Sequence, residues 1–348
     1  MPYLLGIDIG SGTTKAAVAR PAAARDARGP LWEPVSLGVR SRTVPSALAT
    51  TPEGAVAPAE AHRDTSAAVS GYLARVGDSL PMLVGQAYYP AHGLVAAMAR
   101  WVVNQAWELL DEPPERVALA CPTGWGPGRL RLVHAALTEA DLAGTLLVTR
   151  ARAVVESFQV AGRVAPSGGM LLVYRLGEAG VEVSVVLPHG PGRLELLGSA
   201  ELDEISGYEL DDVTPEHMRA VLRSTVDLAE HTVRGCGGVP AELAAVLIAG
   251  GSAPVLPVVT ELLGAAFAVP VLVDHDPQLT VAGGAALAGR PQSRTVPPPS
   301  PQEPPAAAAP AVVGATPSWP EQAGGVRVLP ERPPRPAVRV GPVRAEAS

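Results

Sequence analysis

Asp8 is the one carboxylate in an apolar run, Leu4 to Ile9. The chain then breaks into Gly10-Ser11-Gly12-Thr13-Thr14-Lys15. These residue types suit a phosphate group. Gly10 and Gly12 leave backbone N–H groups unhindered, Ser11, Thr13 and Thr14 bring hydroxyls, and Lys15 brings an ammonium. Lys15 is the only lysine in the chain; every other Lys/Arg position is arginine. Leu171 to Val186, LLVYRLGEAGVEVSVV, repeats the pattern at the same offset, with Arg175 opposite Asp8 and Gly177 opposite Gly10. The second copy has therefore lost the carboxylate. A third polar turn, Gly250-Gly251-Ser252, follows the apolar run Ala244 to Ala249.

The elements around these turns follow from pattern. Each of the two related stretches reads as strand, tight turn, strand. Two copies imply two similar half-domains facing each other across a nucleotide cleft. Arg20 to Gly38, rich in Pro, Ala and Gly, is expected to be a loose surface loop, and Arg42 to Ala49 a short strand with an edge proline. His92 to Leu110 has apolar residues at helical spacing, with Trp101 and Trp107 as packing anchors. Arg116 to Pro122 is a buried strand, Arg129 to Leu142 a helix, Gly144 to Val148 a strand and Ala153 to Gly162 a helix. Leu194 to Ser199 is a strand. Thr214 caps a helix that has Pro215 at its first position and runs to about Arg234. Helices over Val255 to Phe267 and Thr280 to Ala288 flank a short strand at Val269 to Val273. Alternating strands and helices indicate an α/β protein.

Composition narrows the function classes. The 348 residues are 47% hydrophobic and 18% charged, enough for a substantial core. The formal net charge is −7, and the region after Arg290 holds six Arg and four acidic residues. The remainder is more acidic still, which argues against nucleic acid as a partner. Cys121 and Cys236 read as reduced thiols of a cytoplasmic protein. The seven histidines show no ligand spacing. Met1-Pro2-Tyr3 lacks the basic start of a signal peptide. Leu243 to Thr260 is uncharged, but Gly250-Gly251-Ser252, Pro254 and Pro257 cut it into strand, turn and helix rather than a membrane span. From Pro291 onward, 15 of 58 residues are proline. Residues 290–348 are expected to be a disordered, solubilising tail, with docking of its Arg/Pro-rich end, Arg327 to Arg344, on an acidic protein partner as the alternative.

Five blocks in order make residues 3–289 resemble the nucleotide-binding domain of the seventy-kilodalton, DnaK-type heat-shock chaperones, within the actin-like ATPase superfamily. Gly6 to Lys15 is similar to the first phosphate loop, Arg42-Thr43-Val44-Pro45-Ser46 to the family's Arg-Thr-x-Pro-Ser, and Ala120 to Trp125 to the strand and proline turn of the first half. Leu171 to Val186 stands where the second phosphate loop belongs. Ala249 to Ser252 resembles the adenosine loop, and Ala282 to Ala286 the closing helix. The fold implied is a two-lobed actin-like ATPase with duplicated ribonuclease-H-like lobes, 1–165 and 166–289. Asp212 leads straight into Val213-Thr214-Pro215, so the upper lobe of the second half is expected to be reduced.

The resemblance implies ATP or ADP as ligand. Gly10, Ser11, Gly12, Thr13, Thr14, Lys15, Arg175 and Gly177 would meet the phosphates, Gly250, Gly251 and Ser252 the adenosine, and Asp8 would be the catalytic and metal-binding carboxylate. The departures weaken the chemistry. Arg175 replaces an acidic residue, Arg150 falls where the family has its catalytic Glu, and Leu73 where it has its catalytic Lys. Magnesium is expected to bind poorly, and the two arginines to face phosphate oxygens in its place. Glu156 and Glu182 are read as surface carboxylates. No peptide-binding domain follows Gly289 in the sequence, so autonomous refolding is not expected. The readings are a slow DnaK-type ATPase, a pseudo-ATPase serving as a sensing or interaction module, and a small-molecule kinase for which no acid–base residue can be placed.

Overall fold

The structure, a computed structural model, describes residues 2–20, 30–51, 54–59, 68–203, 205, 210 and 213–290. Of the expected tail only Arg290 is among them, hydrogen-bonded to the Leu287 carbonyl and to Glu156; the rest of the tail and Asp212 lie outside the described residues. The described residues belong to one compact unit spanning 1–293.

In chain order the strands are β1 (Leu4–Ile9), β2 (Thr13–Ala19), β3 (Glu33–Pro34), β4 (Thr43–Pro45), β5 (Leu48–Thr50), β6 (Val56–Pro58), β7 (Met82–Val84) and β8 (Ala87–Tyr89). Helix α1 (Ala91–Leu110), β9 (Arg116–Cys121), α2 (Pro127–Glu139), β10 (Leu146–Thr149) and α3 (Arg150–Val160) complete the first half. The second half has β11 (Leu171–Leu176), β12 (Val181–Gly190), β13 (Arg193–Leu202) and α4 (Pro215–Gly235), then β14 (Ala245–Gly250), α5 (Val255–Phe267), β15 (Val271–Val273) and α6 (Thr280–Ala288).

The two large sheets share one plan. The first runs β10-β9-β1-β2-β3, with β4 also paired to β2; the second runs β15-β14-β11-β12-β13. In each, the hairpin strands are antiparallel, and the first of them has two parallel strands on its other side. Each half follows its three-stranded meander with helix, strand, helix, strand, helix, apart from the short strands β4 to β8 inserted in the first. The protein is thus mixed α/β, as the sequence implies.

Strand periodicity decides what faces the site. Leu5, Ile7 and Ile9 pack into the core beneath α1 and α2, so Leu4, Gly6 and Asp8 face the other way. Leu172, Tyr174 and Leu176 join the core with α4 and α5, which leaves Leu171, Val173 and Arg175 on the opposite face. Those two inner faces share a layer formed by α3 and α6. Asp8 and Arg175, each near the carboxyl end of its strand, are therefore brought together.

Helix α6, TVAGGAALA, can lie in that layer because its residues are small; all nine are buried. A Cβ on Gly284 would overlap the Ala153 carbonyl oxygen, and one on Gly6 the Ala282 carbonyl oxygen. We expect Gly284→Ala to destabilise the protein by roughly 1–3 kcal/mol, since the obstruction is backbone and overpacking outweighs alanine's helix preference. Urea denaturation of the variant and the parent measures this; equal midpoints would show that the helix layer yields.

Several elements depart from expectation. The described part of Arg20–Gly38 is no loose loop: Trp32 is buried, its ring against Gly283 of α6, and Val35 and Leu37 enter the core. Arg42–Ala49 is split into β4 and β5, because β4 pairs with β2 while β5 pairs with β6. Trp107 is 51% exposed and outside the core, whereas Trp101 packs against it. Leu243–Thr260 breaks into strand, turn and helix as expected, and among the described residues no helix is long and apolar enough to cross a membrane.

Candidate functional site

The site begins with two matching turns. Between β1 and β2, the Gly10 N–H donates to the Thr13 carbonyl at 3.0 Å; between β11 and β12, the Gly177 N–H donates to the Gly180 carbonyl at 2.8 Å. Behind the turns, Asp8 is the cross-strand partner of Lys15, and Arg175 of Glu182. The two hairpins thus carry the same pair of positions with opposite charge order, acid then base in the first and base then acid in the second.

Arg150 ties the copies together. It is the first residue of α3, whose N-terminus is capped by Thr149, the hydroxyl accepting from the Arg152 N–H at 3.3 Å. A cation there opposes the helix dipole. It is held by carboxylates instead: Arg150 Nε lies 3.3 Å from Asp8 Oδ1, Nη1 lies 3.5 Å from Glu182 Oε2, and Nη2 donates to the Ile9 carbonyl at 2.8 Å. Arg175 Nη2 approaches the other Asp8 oxygen, Oδ2, at 3.7 Å. Glu182 Oε1 accepts from the Thr123 backbone N–H at 3.2 Å and from the Thr123 hydroxyl, and that same hydroxyl oxygen accepts from the Ala151 N–H at 3.1 Å. Asp8, Arg150 and Glu182 are only 2%, 5% and 5% exposed.

Burial pushes the Asp8 carboxyl up, but Arg175, Arg150 and Lys15 outweigh it and hold it below the ordinary carboxylate value. Burial presses Lys15 down, with only partial compensation from Asp8 and Glu178. Burial also opposes the charge of Arg150, yet Asp8 and Glu182 raise it beyond the ordinary value. Arg175 is lowered, first by burial and then by Arg150. Burial pushes the neighbouring Cys121 thiol up to about 12, so it is inert as a nucleophile near neutral pH.

Two cavities flank this network and share Lys15, Arg175, Gly177 and Glu178 in their walls. One, about 220 Å³, adds Gly10, Ser11 and Gly12 on one side and Leu73, Trp125 and Arg129 on another. The other, about 280 Å³, adds Asp8, Thr43, Gly250, Gly251, Ser252 and Gln278. Between them Glu178 crosses from the second turn to the first. Its Oε1 accepts from the Thr13 hydroxyl and lies 3.6 Å from Lys15 Nζ, which itself donates to Thr13 Oγ1 at 2.7 Å. Its Oε2 sits in the space that a side chain on Gly12 would fill.

The residues singled out from sequence thus converge, apart from Thr14. Its hydroxyl hydrogen-bonds Ser46 at 2.8 Å in the core, and neither cavity includes it. Ser46 also donates its N–H to the Gly12 carbonyl at 2.7 Å, so the Arg42–Ser46 block braces the first turn. Two expectations are corrected. Glu182 is a buried ion-pair partner rather than a surface carboxylate, because β12 turns it inward opposite Arg175. Arg150 lines the first cavity, but it is not free to take phosphate oxygens, since each of its guanidinium nitrogens already has a protein partner. The repeat contained the signal for Glu182: it follows Arg175 by the same interval as Lys15 follows Asp8. Glu178 and Thr123 carried no comparable signal.

The donor set around Asp8 does not fit a hydrated divalent cation. Both carboxylate oxygens face guanidinium groups, and among the described residues no group of three or more His, Cys, Asp and Glu could hold a metal. Comparison of the sequence with family models and with curated proteins finds no match.

Proposed function

We propose that this chain is a pseudo-ATPase, a module of the actin-like superfold related in kind to the nucleotide-binding domain of DnaK-type chaperones, which acts as an interaction scaffold without hydrolysing ATP. The fold reading is supported by the strand order repeated in the two sheets and by the turns that meet between them. The functional reading is carried by one observation: both oxygens of Asp8 face arginines. Phosphoryl transfer needs carboxylates that hold the cation bridging the phosphates and a group that orients water. Here the surviving carboxylate is neutralised, and Leu73 lines the cavity where a catalytic lysine is expected. What Asp8, Arg150 and Glu182 do instead is tie the first hairpin, α3 and the second hairpin together through buried ion pairs. Such a tie suits a scaffold better than a cleft that opens and closes through a catalytic cycle.

Phosphate release from ATP by the purified protein should stay at background with or without magnesium. Steady magnesium-dependent turnover, abolished by Asp8→Ala, would restore the slow-ATPase reading. The adjoining cavities favour a second reading within the first, in which nucleotide binds without metal. In that case calorimetry should give an ATP affinity that a chelator leaves unchanged. Lys15→Ala should then cost about 1–3 kcal/mol of binding, the scale of a charge-assisted hydrogen bond.

A further inference from the structure

We propose that Glu178 is a tethered carboxylate seated where the Gly10–Lys15 turn would hold an anion, and that it sets the cleft's affinity for ligands carrying phosphate or pyrophosphate groups. This rests on reading the first turn as a phosphate seat. Glu178 fills that seat from the opposite hairpin, with one oxygen on Thr13 and near Lys15 and the other against Gly12. A carboxylate and a phosphate cannot share the place, because they need the same donors and repel each other. An anionic ligand therefore enters only by displacing Glu178, whereas an uncharged one is not opposed by its charge.

Glu201 and Asp203 also line the first cavity, but among the three carboxylates engaged with the two turns, Asp8, Glu178 and Glu182, the network marks Glu178 as the displaceable one. Asp8 has an arginine facing each oxygen. Glu182 has Thr123 on one oxygen and Arg150 on the other. Glu178 has partners on Oε1 alone; its Oε2 is buried with no hydrogen bond among the described residues. Its side chain is also the most accessible of the three, at 21% against 2% and 6%. A buried oxygen without a donor weakens the hold of the whole group. A phosphate arriving with more oxygens can take over Thr13 and Lys15 while lying beside Arg175, which lines both cavities.

The test is calorimetry of the full chain with inorganic pyrophosphate in the presence of a chelator. Glu178→Ala should bind at least ~10-fold more tightly than the parent, the scale of one charge-assisted contact regained. Glu178→Gln keeps the shape and removes the charge, so it should show a smaller gain in the same direction, and it decides the matter should the alanine variant fail to fold. The gain should vanish in Glu178→Ala/Lys15→Ala. Affinities no tighter than the parent's in both single variants would overturn the proposal. So would a gain that survives loss of Lys15, because the anion would then sit elsewhere. These outcomes are independent of the hydrolysis assay: magnesium-dependent turnover by the parent would overturn the pseudo-ATPase reading whatever Glu178 does. Failure of the pyrophosphate gain would leave that reading standing and remove only the role of Glu178.

Discussion

Asp8→Ala should destabilise the protein by about 3–5 kcal/mol, the usual cost of leaving buried charges without their partner. Arg175 would lose the carboxylate at 3.7 Å, and Arg150 one of the two that offset its place at a helix N-terminus. The sign of this effect separates the two functional readings. In a working metal site the carboxylate waits for its cation, and removing it often stabilises the fold at the expense of activity. Here it is a structural counter-ion. Chemical denaturation near neutral pH measures the effect; a variant as stable as the parent, or more so, would show that the arginines do not depend on Asp8.

The acid limb gives a second reading of the same group. The folded-state value of Asp8 lies below the ordinary 3.8, so between the two values the unfolded chain binds more protons than the folded one. Its contribution is complete above about 3.8 and is lost as pH falls through the lowered value. The alanine variant lacks that loss. The stability gap between parent and variant should therefore narrow on acidification.

Much of this arrangement could be read from residue patterns, and the reason is local periodicity. The alternation in Leu4–Ile9 and Leu171–Leu176 places Asp8 and Arg175 on the faces opposite the main cores, and the matched offsets place their turns together. Thr214-Pro215 starts α4 as its capping chemistry requires, with the Thr214 hydroxyl accepting from the His217 N–H at 3.3 Å. Helices α5 and α6 begin and end at the residues their patterns indicate. The strands β3 and β6 to β8 were not legible, and β4 and β5 were read as one strand, since two- or three-residue strands have no period and exist through pairing with partners elsewhere in the chain. Trp32 was hidden for a related reason: a polar, proline-rich flank says nothing of the glycine face of α6 that receives its ring. Glu182 looks like an ordinary strand carboxylate until β12 is registered against β11 and α3 is laid over both. The site is made largely of contacts between residues far apart in sequence, and the repeat is what gave away those between the two hairpins.

Arg150→Met should cost a similar amount, about 3–5 kcal/mol near neutral pH, but its dependence on pH should differ from that of a packing residue. The thioether fills much of the aliphatic space and donates nothing. Asp8 Oδ1, Glu182 Oε2 and the Ile9 carbonyl all lose a donor. Two buried carboxylates then remain, with Arg175 and Lys15 as the nearby cations. Burial, which already pushes Asp8 up, is opposed by fewer positive charges, so its carboxyl rises. A raised carboxylate is destabilising above that value and relieved below it, because the folded state now takes up the proton. The deficit of Arg150→Met should accordingly shrink as pH falls toward the ordinary carboxylate range. Combining it with Asp8→Ala should cost less than the sum of the two single changes, since each removes the charge that the other leaves stranded. Denaturation curves for the four proteins at neutral and acidic pH decide the point. A deficit that is constant with pH and strictly additive would mean that Arg150 merely fills space at the start of α3; a coupled, pH-dependent one makes it the counter-ion that joins the two hairpins.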